Sequence, residues 1–192
     1  MGSAQQGVAS KRVLVPISDG TEELEAVAII DTLRRAGAQV TVASVTSGLQ
    51  VTCSRRVRLV ADALIQDCAN ERYDLIVLPG GMPGAERLRD SAVLTELLKR
   101  QQAAGGLIGA ICASPAVVLQ HHGLLGQRQA TAYPGFTERL SHPDATARVV
   151  TDDSCVTSQG PGTALELALT LVEQLFGAAT AQAVAEQMLA RR

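Results

Sequence analysis

The chain has no tryptophan, and Tyr73, Tyr133, Phe136 and Phe176 carry its only six-membered aromatic rings. Binding single-stranded nucleic acid by base stacking needs several exposed aromatic platforms, so that class is excluded. Excess positive charge is also missing: 17 Lys and Arg stand against 19 Asp and Glu, for a net charge of -2. The basic footprint of a phosphate-backbone binder is therefore absent. Cys53, Cys68, Cys112 and Cys155 show no CxxC or CxxH spacing, and the nearest two lie 15 positions apart. Neither a zinc knuckle nor a thioredoxin-type redox pair fits that spacing. Nothing resembles a signal peptide, so the four read as reduced thiols in a cytoplasmic or other reducing compartment. The longest uncharged stretch, from Gln101 to the Gly-Leu-Leu-Gly segment around Leu124, is broken by Gly105, Gly106, Gly109, Ser114 and Pro115. A membrane span needs roughly 20 predominantly apolar residues, and this stretch reads instead as strand, tight turn and buried helix.

With 46% apolar residues in 192, the chain is long enough to bury a core without metal or disulfide support, and too apolar for global disorder. The first ten residues, MGSAQQGVAS, read as a disordered lead-in, and residues 11–192 as one domain. RVLVPI (12–17) is a β-branched strand closed by Ser18-Asp19-Gly20. Thr21 is placed to cap the helix that follows, with Leu24, Val27, Ala28, Ile30 and Leu33 at helical spacing and Gly37 as its stop. QVTVAS (39–44), YDLIVL (73–78) and LIGAI (107–111) are further strands, with short ones at 147–150 and 154–158. Helices are expected at 64–69, 92–104, from Ser114-Pro115 onward, at 163–176 and at 179–189. Continuous apolar strands alternating with amphipathic helices predict an α/β sandwich, a mostly parallel sheet covered on both faces. In such a sheet the ligand crevice lies beyond the carboxyl ends of the strands, where residues 18–25, the loop PGGMPG (79–84) and Cys112 converge.

Cys112 sits between the strand LIGAI and a helix whose first turn holds Pro115. This layout resembles a nucleophile elbow, in which a sharp turn lifts the side chain above the sheet. A helix N-terminus there favours thiolate over thiol, and the amide of Ala113 is a candidate oxyanion donor. The competing reading is a core cysteine in an apolar run. The glycine loop can supply a second oxyanion donor, or is a plain turn; it lacks both a GxGxxG fingerprint and a Walker Lys. Glu22, Glu23 and Glu25 either complement the helix dipole from solvent or pack a carboxyl against Cys112, where burial raises its pKa and fits it for proton transfer. His121, His122 and His142 are placed at the surface, so a Cys–His dyad has no support.

Taken together, KRVLVPISDGTEELEAV, LRRAGAQVTVAS, CSRRV, YDLIVLPGGMPGAERL, GLIGAICASPAVVL, ATAYPGF and TSQGPGTALELAL resemble the Parkinson's-disease-associated protein deglycase family of the ThiJ/PfpI superfamily, in the pattern of its bacterial and plant members. The resemblance implies a flavodoxin-like three-layer sandwich that forms a homodimer. It implies Cys112 as nucleophile, Glu25 as its protonated partner and general acid/base, and Gly80, Gly81 and Ala113 as the backbone around an oxyanion. It also implies that Arg55 and Pro161 line the pocket and that Arg35 reaches in from the partner subunit. Two departures matter. Ala113 stands where peptidase relatives carry His, which argues against a peptidase triad. Tyr133 stands where animal members carry His, so a mechanism needing an imidazole there does not transfer, although the phenol can donate a hydrogen bond.

The function so implied is a cofactor-independent, metal-free glyoxalase or deglycase. It would act on methylglyoxal, glyoxal or their early protein adducts and protect against carbonyl and oxidative stress. The alternative is a redox sensor or holdase-type chaperone whose Cys112 oxidises to the sulfinate.

Overall fold

The computed structural model describes residues 10–191. Apart from Ser10, the expected lead-in lies outside the described residues. Nine strands and six α-helices follow in chain order: β1 (Arg12–Ile17), α1 (Glu23–Arg35), β2 (Gln39–Ser44), β3 (Gln50–Thr52), β4 (Arg58–Val60), β5 (Ala63–Leu64), β6 (Leu75–Leu78), α2 (Gly84–Asp90), α3 (Ala92–Ala103), β7 (Leu107–Ile111), α4 (Pro134–Thr137), β8 (Val149–Asp152), β9 (Cys155–Ser158), α5 (Ala164–Phe176) and α6 (Ala178–Gln187).

Seven strands form one sheet in the order β5-β2-β1-β6-β7-β9-β8, parallel except for the β8–β9 pair, while β3 and β4 make a separate antiparallel hairpin. Side chains alternate across each strand, so a fully buried strand feeds two cores. Val13, Val15 and Ile17 of β1 join Leu75 and Val77 of β6 on the face covered by Ile29 and Leu33 of α1 and Leu167 and Leu171 of α5. Leu14, Ile76 and Leu78 point the other way, against Leu88 of α2 and Leu94 and Leu98 of α3. Each such Leu or Ile contributes roughly 1.5–3 kcal/mol by leaving water, which holds the three layers together. The architecture is the flavodoxin-like α/β sandwich.

Register brings the functional loops together. β6 and β7 pair from Leu75↔Leu107 to Leu78↔Ala110, and β7 meets β9 at Ile111↔Ser158. The chain builds outward from β1 to β2 and β5, then crosses back to β6, β7 and β9. The strand order therefore reverses between β1 and β6, and a crevice opens beyond their carboxyl ends.

Several local expectations are corrected. The helix expected at 64–69 is a two-residue strand, β5, followed by one 3-10 turn, Ile65–Cys68. Only Ile65 and Cys68 of that turn are buried, and so short a span cannot offset the cost of nucleating an α-helix. In α1 the cap is Glu22, whose carboxylate accepts from Glu25 N at 2.7 Å, while Thr21 Oγ1 accepts from Ser18 N. The buried face of α1 runs through Glu25, Ala26, Ile29, Thr32 and Leu33, whereas Leu24 and Val27 are exposed. A Schellman motif ends it, with Ala38 N bonded to Leu33 O and Gly37 N to Arg34 O. Helix α2 was masked in the sequence by Pro83-Gly84; Pro83 precedes its first turn, where a missing N–H costs nothing. After Cys112 the chain forms a π-helical turn, Pro115–Gln120, so His121 and His122 follow that turn instead of riding on it.

Candidate active site

Cys112 follows directly on β7 with φ +63°, a left-handed conformation that costs a non-glycine residue on the order of 1–3 kcal/mol. Strong neighbours hold it there. Its N–H donates to Ser158 O of β9 at 3.0 Å, and its carbonyl accepts from Tyr133 N at 2.9 Å. The strand, the strained residue and the helical turn after it form a nucleophile elbow. Cys53, Cys68 and Cys155 are buried, whereas Cys112 is partly exposed, and all four are free thiols.

Glu25 reaches the same edge from the first turn of α1 and is fully buried. Gly80, two residues past the end of β6, lies between it and the nucleophile. A Cβ at position 80 would come within 2.6 Å of Cys112 Cβ and 2.9 Å of Glu25 Oε2, so only glycine lets the two side chains share this space. Gly80 N donates to Glu25 Oε2 at 2.7 Å. The other carboxyl oxygen, Oε1, is buried without a hydrogen-bond partner among the described residues. Burial pushes the Glu25 carboxyl up to about 7, with Glu22 adding to the rise and the Gly80 amide and Cys112 thiol opposing it.

The sequence predicts a thiol acidified by the helix N-terminus, and the structure corrects this. Burial, followed by the charge of Glu25, pushes Cys112 up to about 12 against the lowering influence of the Gly81 and Ala113 amides. Those two amides are too few to offset removal from water beside a carboxylate. Burial favours the neutral form of both groups, and each acts on the other's proton affinity, so the two titrate as a pair. The raised Cys112 favours a thiol, and the raised Glu25 carboxyl has the proton affinity of a base suited to neutral pH.

The surrounding residues fall into place unevenly. The N–H of Gly80 is engaged by Glu25, so the amides that act on Cys112 are those of Gly81 and Ala113. Tyr133 is half exposed, with its ring edge 3.3 Å from where a Gly160 Cβ would stand, and Pro161 begins the 3-10 turn next to it. Arg55 is exposed; its N–H donates to Glu23 Oε1 at 2.7 Å and its guanidinium turns back to Ser54 O at 3.3 Å. Arg35 pairs with Asp31 near the far end of α1, ten residues and roughly 15 Å of helix from Glu25, so it does not reach the Cys112 of its own chain.

Two residues make contacts that their spacing does not signal. Glu23 accepts from Ser54 Oγ, Arg55 N and Val57 N, tying α1 to the 53–57 turn. Burial pushes its carboxyl up, but these bonds outweigh burial and hold it below the usual range. Ser114, fully buried, donates to Pro79 O at 2.6 Å. Its only signal was a small hydroxyl within the apolar run AICASPAVVL.

None of the histidines approaches the site: His122 Nε2 lies 2.9 Å from Arg89 O and His142 Nε2 2.9 Å from Gln127 Oε1. Among the described residues no group of three His, Cys, Asp or Glu side chains is arranged to hold a metal ion, and no helix is long and apolar enough to cross a membrane. A cleft of about 1000 Å³ opens at the opposite edge of the sheet, near Lys11, Tyr73, Arg100 and Leu107. Among the described residues none that line this cleft has a buried side-chain nitrogen or oxygen without a partner, whereas Glu25 Oε1 beside Cys112 is such an atom.

A mostly parallel sheet covered on both faces, with a cysteine on a strained elbow beside a buried carboxyl, defines the class of flavodoxin-like α/β proteins to which this fold belongs. The chain belongs to the DJ-1/PfpI family, whose profile matches residues 11–174. It is 50% identical over 169 residues to Protein DJ-1 homolog B of Arabidopsis thaliana, covering 86% of this chain and 38% of that one. It is 40% identical over 171 residues to glutathione-independent glyoxalase DJR-1.2 of Caenorhabditis elegans, covering 88% and 89%. Among solved structures, oxidized DJ-1 of Toxoplasma gondii superposes with a TM-score of 0.93 at 52% identity, covering 95% of this chain and all of that one. The chain spans 38% and 47% of the length of two Arabidopsis relatives.

Proposed function

We propose that this protein is a glutathione-independent glyoxalase that converts 2-oxoaldehydes such as methylglyoxal and glyoxal to 2-hydroxy acids, with Cys112 as nucleophile and Glu25 as general acid/base. The observation that carries this reading is the fully buried Glu25 carboxyl, pushed up to about 7 and separated from Cys112 only by Gly80. The C. elegans relative named as such an enzyme supports the reaction class.

In this reading Glu25 takes the thiol proton as sulfur adds to the aldehyde carbon, giving a hemithioacetal whose oxygen is protonated. The amides of Gly81 and Ala113 stabilise charge on that oxygen as it develops. Glu25 then removes the former aldehyde hydrogen as a proton, and the electron pair moves onto the neighbouring ketone oxygen to form an enediol. Reprotonation at that second carbon yields a thioester of lactate. Water cleaves the carbon–sulfur bond, releases lactate and restores the thiol. The sum is methylglyoxal plus water to lactate, an internal redox exchange with no external oxidant or reductant and no cofactor. Early adducts of the same aldehydes with amines and thiols present the same carbon and are proposed as further substrates, the deglycase variant of the reaction.

The test is incubation of the protein with methylglyoxal in deuterium oxide without glutathione, followed by proton NMR. Lactate carrying deuterium at its second carbon is expected, because the proton on Glu25 exchanges with solvent. Absence of lactate above the protein-free control would refute the assignment.

A second reading, redox sensing at the same cysteine, is favoured by one observation: Cys112 alone among the four cysteines is not buried. Graded peroxide should add two oxygens to Cys112 and leave Cys53, Cys68 and Cys155 unmodified, as read by peptide mass. Simultaneous oxidation of all four would end this reading. We also propose a homodimer in a reducing compartment. Leu24 and Val27 on α1 and Val57 and Val60 around the hairpin are exposed apolar side chains suited to burial against a second copy, which would also bring in the partner's Arg35.

A further inference from the structure

Two consecutive peptide units connect the end of β6 to the reacting pair, and both are gripped at each end. The carbonyl of Gly80 accepts from Glu22 N at 2.9 Å, and the N–H of the same peptide unit, on Gly81, acts on Cys112. The unit before it has its carbonyl on Pro79 and its N–H on Gly80. Pro79 O accepts from Ser114 Oγ at 2.6 Å, and Gly80 N donates to Glu25 Oε2 at 2.7 Å. Ser114 is the residue second after the nucleophile, fully buried, and its hydroxyl has no other partner among the described residues.

We propose that Ser114 is a positioning residue for the reaction assigned above: by holding the Pro79 carbonyl it aims the Gly80 N–H at Glu25. A peptide unit is planar, so fixing the direction of its carbonyl fixes its N–H on the opposite side. The following Gly80-Gly81 pair supplies almost no steric restraint of its own, and the pin has to come from outside the loop. A donor on the carbonyl also polarises the amide and strengthens the bond its N–H makes. The outcome is that Oε2 is permanently occupied, leaving Oε1 as the oxygen that carries and delivers the proton. Cys112 thus sits on the same short turn as the residue that orients its proton-transfer partner, so elbow and carboxyl are set in one geometry.

The test follows the pH dependence of Cys112 alkylation by iodoacetamide, read by fragment mass of its peptide, which separates Cys112 from the other cysteines and from a thiol at position 114. This measurement does not use aldehyde turnover, so it stands or falls separately from the glyoxalase assignment. The titratable groups facing Glu25 are Glu22 from the cap of α1 and Cys112 from the elbow, and Cys112 is faced by Glu25; both remain in every variant. The Gly80 bond favours the carboxylate, so weakening it holds the proton more tightly. In Ser114→Ala the lower inflection should rise by roughly 0.5–1 pH unit relative to the wild type. Ser114→Thr, which keeps the hydroxyl, should restore it. Ser114→Cys fills the space with a weaker donor, should shift it part of the way, and serves as the test if the Ala variant does not fold. Leu98→Val loosens the core at α3 without touching this peptide and should leave the inflection in place. A Ser114→Ala or Ser114→Cys profile that overlays the wild type, or an equal shift in Leu98→Val, would overturn the proposal.

Discussion

Replacing Cys112 with Ala is expected to abolish lactate formation from methylglyoxal, a loss on the order of 10³-fold or more, as for nucleophiles that act as a unit with their base. No other thiol can substitute. Cys53, Cys68 and Cys155 are all buried, and burial pushes Cys53 up to about 11 and Cys155 up to about 12. The variant should fold, because Ala removes one partly exposed sulfur while the elbow is held by backbone bonds to Ser158 and Tyr133 that do not involve the side chain. Lactate assay and thermal melting on the same preparation separate loss of chemistry from loss of structure. Turnover within tenfold of wild type in a folded Cys112→Ala protein would remove sulfur from the mechanism.

Glu25→Gln should cut kcat/KM by about 10² to 10⁴-fold, the range contributed by a positioned general acid/base. The same change should stabilise the protein above neutral pH. The folded state holds the Glu25 proton more tightly than the unfolded chain does, with the carboxyl at about 7 against an ordinary 4.5. Native stability therefore falls as pH rises through that interval, by roughly 3 kcal/mol in total. Gln mimics the protonated acid: its carbonyl can accept from Gly80 N, its amide replaces the hydroxyl, and it has no proton to lose. Melting temperatures should be nearly equal at pH 4.5 and differ by roughly 5–10 °C in favour of Gln at pH 8.5. A constant difference across that range would show that Glu25 does not titrate on folding. Wild-type kcat/KM should rise with pH through about 7 as Glu25 becomes a base, and the Gln variant should lack that limb.

How far the site is legible in the sequence varies residue by residue. The strand LIGAI, the small residues after it and Pro115 place Cys112 on an elbow, because a buried strand that meets a helix start leaves one conformation for the residue between. The glycines of PGGMPG signal a close approach, and the structure shows what approaches: Cys112 on one side and Glu25 on the other. The acidic trio was not legible from spacing. Glu22 caps the helix, Glu23 ties down the 53–57 turn, and Glu25 is buried beside the thiol. Three carboxyls within four positions thus have three roles. What separates them is the set of segments packing around α1, from residues 54–57 and 80, which no local pattern encodes.

Composition and periodicity by themselves determined the parallel α/β sandwich, the edge where its loops converge, and the place of Cys112 between a strand and a helix start, with nucleophile and core cysteine both open. These follow from alternation, turn chemistry and strand length, all short-range properties of a chain. The tertiary structure alone decided the protonation of the pair, which amides face the sulfur, and the link from Ser114 through the Pro79–Gly80 peptide to Glu25. Those depend on burial and on hydrogen bonds between residues up to 55 positions apart, as between Glu25 and Gly80. The proton affinity of a carboxyl or thiol is set by what surrounds it in space, and that is complete only when the sheet has closed its layers.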